Sequence, residues 1–294
     1  MFKILYKVLL LTVSVALVAL LVGYTDTQKR SYDFINESDL VVENTSETRA
    51  EVETETTTET TTETTTETTT ETTEETTESI TDNETDLYDY SQPVPQSLAV
   101  EDSYFDDAIF VGNSRTEGFM MYAGLKKAQA LTHIGLKVDT IRTSQIAKID
   151  GKKMTIMDAL KVKKFGKIYI MLGMNELGWA FPELFKEQYA SVIDEIKLNH
   201  PESIIYMQSI LPVSKAKANY DPIYNNDNIE RFNQLVKEIA LEKEVFYVNV
   251  TEGIADSEGS LPEGASFDGV HLKPDFCLEW LSYLKEHTVE VIHE

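Results

Sequence analysis

Asp268-Gly269-Val270-His271 places a carboxylate three residues before an imidazole, a spacing at which the Asp can fix the tautomer of the His and stabilise it once protonated. A base oriented in this way needs a nucleophile. The upstream candidate is Ser114 in Ile109-Phe110-Val111-Gly112-Asn113-Ser114-Arg115, where an apolar run ends in Gly and Ser just as a helical pattern begins. That reads as strand, tight turn and helix. The Gly lets the backbone reverse, and Ser114 then projects from the C-terminal edge of a sheet, where α/β folds bind ligands. The chemistry would be attack by the Ser114 hydroxyl, with His271 taking its proton and Asp268 behind His271.

Each motif alone carries little, since a Gly-Xaa-Ser is most often only a turn and an Asp-Xaa-Xaa-His most often only a loop. A third element changes the balance. Lys167-Ile168-Tyr169-Ile170-Met171-Leu172-Gly173-Met174-Asn175-Glu176 is a buried-type strand running into Gly and Asn, so the Asn175 amide is expected at the same sheet edge as Ser114, where it can hold an oxyanion. Gly135 follows another short apolar segment, Leu131-Thr132-His133-Ile134, and offers a backbone N–H for the same purpose. The expected oxyanion hole has three donors: the Ser114 amide, the Gly135 amide and the Asn175 side chain.

Ser114, Gly135, Asn175 and His271, in this order and at strand ends, resemble the four blocks of the SGNH (GDSL-type) hydrolase superfamily across roughly residues 105–290. Two departures stand out. The usual Gly-Asp-Ser is Gly112-Asn113-Ser114, and the usual Gly-Xaa-Asn-Asp is Gly173-Met174-Asn175-Glu176. Neither removes a residue that does chemistry, and Asn113 suits the turn because Asn bonds nearby amides. The resemblance implies a serine esterase, or an O-acyltransferase if a sugar hydroxyl replaces water as acceptor. An idle scaffold that binds glycan is the reading from another class.

The elements that must position these residues are legible as alternation. Strand-like runs at 108–111, 128–132, 167–172, 204–210 and 245–250 are separated by helical patterns at 116–125, 155–163, 182–198 and 228–242, with a last helix at 274–287. This predicts an α/β fold with a parallel sheet covered on both faces. With the family resemblance it becomes a flavodoxin-like three-layer α/β/α sandwich, five parallel strands in the order 2-1-3-4-5. Phe232, Leu235, Val236, Ile239 and Ala240 recur at helical spacing and belong to its core.

Residues 1–29 read as a membrane anchor or a signal sequence: Lys3 and Lys7 precede an apolar stretch from Val8 to Val22, near the lower limit for a spanning helix. The basic flank predicts a cytoplasmic N-terminus and an extracellular remainder, attached at the cell membrane by a single pass or secreted after cleavage. Residues 30–100, with four Glu-Thr-Thr-Thr repeats from Glu55 to Thr70, lack apolar anchors and read as a disordered linker. A flexible coil of that length spans about 45 Å on average. The folded part is placed at 101–294.

The net charge of −24 is concentrated in the linker, where residues 41–90 hold 16 acidic side chains against one Arg. With no basic stripe, nucleic acid is not an expected partner. No cluster has metal-ligand spacing and no Gly-rich phosphate loop precedes a helix, so neither metal nor cofactor is expected. The lone Cys277 reads as a small core residue. Around the site, Trp179 either stacks on a sugar or packs against the next helix. Arg115 either meets an anionic substrate or lies on a helix surface, and Tyr220 belongs to a long loop, 214–228, that shapes specificity. An extracellular address suggests acylated wall or surface glycans, with O-acetyl esters first and small esters as the alternative; oligomeric state is not assigned.

Overall fold

The computed structural model describes residues 88–289. The anchor and the repeat-rich linker expected upstream lie outside those residues, and among the described residues no helix is long and apolar enough to cross a membrane.

In chain order the elements are β1 (Ala108–Gly112), α1 (Ser114–Tyr122), β2 (Gln129–Thr132), β3 (Ala147–Ile149), β4 (Lys152–Met154), α2 (Ile156–Val162), β5 (Lys167–Met171), α3 (Pro182–Asn199), β6 (Ile204–Gln208), α4 (Lys215–Tyr220), α5 (Asn226–Lys243), β7 (Phe246–Val248) and α6 (Pro274–Lys285). The main sheet is parallel and runs β2-β1-β5-β6-β7. The expected order 2-1-3-4-5 therefore becomes 2-1-5-6-7. The difference is the antiparallel hairpin β3-β4, which was not anticipated and falls between the second and third strands of the main sheet. Its turn is Asp150-Gly151, both at positive φ, as a two-residue hairpin turn requires.

The central strands are apolar throughout because helices cover both faces. Ile109, Val111, Ile168, Ile170, Ile205 and Met207 point to one side, where α2, α3 and α5 supply Leu160, Phe185, Val192, Phe232 and Val236. Phe110, Tyr169, Met171 and Tyr206 point to the other, against Phe119 of α1 and Trp280 of α6. Cys277 is buried on this side. The register Phe110↔Tyr169↔Tyr206 puts three rings in a row, stacked at 4.8 and 4.5 Å with planes 11° apart. That row locks β1, β5 and β6 against slippage, since a one-residue shift would turn every ring to the wrong face.

Residues 88–100, assigned above to the linker, are packed on the domain instead. Val94 is 2% exposed and its N–H donates to Tyr247 O at 2.8 Å, while Ser97 and Val100 donate to Glu286 O and Lys285 O. Tyr88 sets its ring against Phe246. Isolated apolar residues among Pro and Ser have no periodicity to betray them. The segment 214–228, expected as a loop, contains α4 and the start of α5, with Ser214 and Asn225 as their N-caps.

Gly112, the last residue of β1, has no room for a side chain. A Cβ there would lie 2.1 Å from Thr116 Oγ1 and 2.9 Å from Met171 O. Gly112→Ala is therefore expected to destabilise the domain by about 1–3 kcal/mol, read as a lower urea midpoint with unchanged slope, and to displace the turn that carries Ser114. An unchanged midpoint would show that Thr116 can move aside.

Candidate active site

The C-terminal ends of β1, β2 and β5 lie side by side, with Gly112 in register with both Thr132 and Met171. Everything attached to those ends is brought to one edge. Ser114 is the first residue of α1, and Asn113 caps that helix, its Oδ1 accepting from Arg115 N–H at 3.0 Å. The expectation that Asn113 serves the turn agrees with this geometry.

From the far end of the chain, the loop before α6 delivers the other two residues. Ser114 Oγ lies 2.9 Å from His271 Nε2, and His271 Nδ1 lies 2.7 Å from Asp268 Oδ2. Asp268 is itself fixed: Oδ1 accepts from the N–H of Val270 and of His271 and from Ser266 Oγ, at 2.9, 2.8 and 3.1 Å. Partial burial opposes ionisation of Asp268, but the hydrogen bonds from His271 and Val270 outweigh it and hold the carboxyl well below the usual carboxylate range. It is thus an anion wherever the imidazole needs one. Ser266 was missed from the sequence; its only signal is a hydroxyl two residues before the Asp.

Gly135 sits just past the end of β2 at φ +76°, and His133 N–H donates to Gly112 O, which ties this turn to the end of β1. Asn175 lies in a short 3-10 turn, Met174–Glu176, after β5, and one of its amide hydrogens goes to Leu136 O at 2.9 Å. The second amide hydrogen of Asn175, the Ser114 N–H and the Gly135 N–H have no acceptor among the described residues. All three predicted oxyanion donors are therefore at one edge with a hydrogen to give.

Glu176 is fully buried, and its Oε1 accepts from Val138 N–H at 2.8 Å while Oε2 has no partner. The third block thus reaches across to the second: Asn175 holds Leu136 and Glu176 holds Val138, which ties down the segment that directly follows Gly135. Burial pushes the Glu176 carboxyl up to about 7, with nearby Asp139 adding to the rise and the Val138 hydrogen bond opposing it.

The remaining sequence candidates fall differently. Arg115 neither lies on a helix surface nor reaches out to an anionic substrate, contrary to expectation: it is 3% exposed and its guanidinium donates to three backbone carbonyls. Trp179 is half-buried against the core, which favours packing. Tyr220 stands 88% exposed at the end of α4. Among the described residues no cluster of His, Cys, Asp or Glu could hold a metal.

The site is open. His271 and Asp268 side chains are 47% and 53% exposed. Beside Asp268 lies a cleft of about 660 Å³ lined by Ser214, Lys217, Pro262, Phe267 and Gly269. Phe267, 82% exposed, carries the Lys273 ammonium 4.9 Å from its ring centroid.

The family model for GDSL-like lipases and acylhydrolases matches residues 110–275, more than half of the chain and every residue of the site. This chain belongs to that family. It is a GDSL-like serine ester hydrolase. No curated protein matches its sequence significantly. Similar solved structures include a protein from Streptococcus pneumoniae provisionally named a platelet activating factor (19% identity, 63% of this chain and 89% of that one, TM-score 0.49). A GDSL-like lipase from Bacteroides thetaiotaomicron (14%, 63% and 86%, 0.45) and an acetylxylan esterase from Geobacillus stearothermophilus (14%, 62% and 94%, 0.44) are further examples. Those names describe those proteins.

The linkage at Glu176 in this hydrolase has a definite sign. A carboxyl whose folded pKa is raised is stabilised in its neutral form, so its contribution is full below the unfolded value and is lost as pH rises through about 7. Unfolding free energy is expected to fall by on the order of 1–3 kcal/mol between pH 4.5 and 8, and Glu176→Gln should flatten that slope. Urea titrations across this range decide it, and parallel curves for the two proteins would contradict the assignment.

Proposed function

We propose that this hydrolase cleaves short acyl esters, O-acetyl esters first, from wall or surface glycans outside the cell. The observation that carries the acyl-transfer chemistry is the unbroken hydrogen-bonded chain from Ser114 Oγ through His271 to Asp268. Ser114 Oγ attacks the ester carbonyl as His271 Nε2 accepts its proton. Asp268, ionised and held by three donors, orients the ring and stabilises the imidazolium. The oxyanion is received by the Ser114 N–H, the Gly135 N–H and the free amide hydrogen of Asn175, and each such donor is worth about 10²–10³ in rate. His271 then returns the proton to the departing alcohol. A water deprotonated by the same nitrogen releases the acid.

Two features support a short acyl group on a bulky alcohol. The triad is open to solvent, so a polymer can lie across it. A long acyl chain would need a deep apolar slot, whereas the cleft beside Asp268 is lined by Lys, Ser, Pro and Gly as well as Phe267. An exposed aromatic face next to a triad suits the apolar face of a pyranose. The extracellular address rests on the basic flank and apolar stretch at the N-terminus, and the acidic Thr-rich linker would let the domain reach out from the membrane.

The soluble fragment from residue 88 is expected to hydrolyse p-nitrophenyl acetate, with kcat/KM at least 10³-fold lower in Ser114→Ala and in His271→Ala. If the wild type is inactive and a fluorophosphonate fails to label Ser114, the serine mechanism is refuted. The glycan assignment has its own test. Phe267→Ala should leave p-nitrophenyl acetate kcat/KM within about twofold but lower that for an O-acetylated oligosaccharide about tenfold; equal effects on both substrates would set the stacking role aside.

A further inference from the structure

Arg115 is a buried cation that the proposed mechanism does not use. Its Nε donates to Val270 O at 2.9 Å, its Nη1 to Leu211 O, and its Nη2 to Pro212 O at 2.7 Å. No carboxylate lies within ion-pair distance among the described residues; the nearest electrostatic influence is Asp268. Taking a guanidinium out of water to bind only neutral carbonyls is costly, which makes it poor as a device for stability alone. What those carbonyls belong to is more telling. Val270 O is the carbonyl of the peptide that leads directly into His271. Leu211 and Pro212 follow β6, and Arg115 itself follows Ser114 on α1.

From this geometry we infer that Arg115 is a positioning residue for the acid–base pair: its guanidinium fixes the Val270–His271 peptide to the nucleophile's own helix and so sets the 2.9 Å contact between Ser114 Oγ and His271 Nε2. The loop carrying Asp268 and His271 comes from the end of the chain, 157 residues from Ser114. Asp268 folds back on Val270 and His271 and thereby shapes the loop internally, but those bonds do not refer it to α1. Arg115 supplies that reference. A planar fork with donors in several directions reaches three carbonyls at once, and its charge strengthens each bond. A Lys presents one nitrogen and cannot span them.

The inference rests on the serine mechanism, and its test separates the two. In Arg115→Lys, p-nitrophenyl acetate kcat should fall about 100-fold with KM within about twofold, because misplacement by about 1 Å costs that much in rate without altering binding. Arg115→Ala should fall further and regain at least tenfold in kcat with guanidinium at tens of millimolar, whereas equal NaCl or urea should do nothing. The rate of Ser114 labelling by a fluorophosphonate should follow the same pattern, and this readout stands even if the wild type turns over no ester. Circular dichroism and thermal unfolding accompany each measurement. A wild-type kcat in Arg115→Lys, a loss confined to KM, or guanidinium that raises Tm without raising kcat or labelling overturns the proposal. So does failure of both variants to fold in guanidinium, which would make Arg115 a folding residue only.

Discussion

The site depends on a lack of space at the end of β1. A Cβ on Gly112 would run into the Thr116 side chain and the Met171 carbonyl, so only a glycine lets the first turn of α1 fold back over the end of β1 while β1 stays paired with β5. The pairing of Gly112 with Met171 puts the turn that carries Ser114 and the turn that carries Asn175 at the same sheet edge. The parallel register then does the rest. Thr132 of β2 ends level with Gly112, and the His133 amide bonds to Gly112 O, so the Gly135 turn joins the same edge. Three separate pieces of sequence are thereby set at one level by backbone hydrogen bonds, independently of any catalytic side chain.

Polar bracing is then laid across the edge in two places, each centred on a buried charged-type side chain, Glu176 in one and Arg115 in the other. On one side Asn175 and Glu176 grip the carbonyl of Leu136 and the amide of Val138. On the other Arg115 grips Val270, Leu211 and Pro212. Low dielectric strengthens these contacts and excludes competing water. Half-buried Ser114 and exposed His271 and Asp268 thus sit beside the buried side chains of Glu176 and Arg115, which reconciles an open cleft with fixed geometry.

What could be read from the residues divides along physical lines. The strands β1, β5 and β6 are continuous apolar runs bounded by Gly or polar residues, so period and length reveal them. The chemistry-bearing residues were legible because each sits at the end of such a run or, for Asp268 and His271, at a fixed spacing. Residues whose role depends on a distant partner were opaque. For Arg115 the sequence points to a surface or a substrate because Arg is seldom fully buried, and nothing local announces three carbonyls from other parts of the chain. Glu176 is, in sequence, only a departure from a pattern, while its reach to Val138 exists only after the strands pair. Tyr88 and Val94 looked like linker because solitary apolar residues have no period. The Asp150-Gly151 pair is a hairpin-turn signal legible in the sequence, and its hairpin accounts for the altered strand numbering.

The strap formed by residues 88–100 has a mechanical consequence. Any pull on the chain upstream of Tyr88 enters the domain through this segment, first at the ring contact with Phe246 and then at the bonds from Val94 to Tyr247, Ser97 to Glu286 and Val100 to Lys285. Those attachments lie in sequence along the segment, so load meets them one after another and peels the strap in small steps. The residues under tension belong to β7, at the sheet's edge, and to the end of α6, with β6 and β5 standing between them and β1. The strap would serve as a strain relief, yielding before force arrives at the strands that seat Ser114.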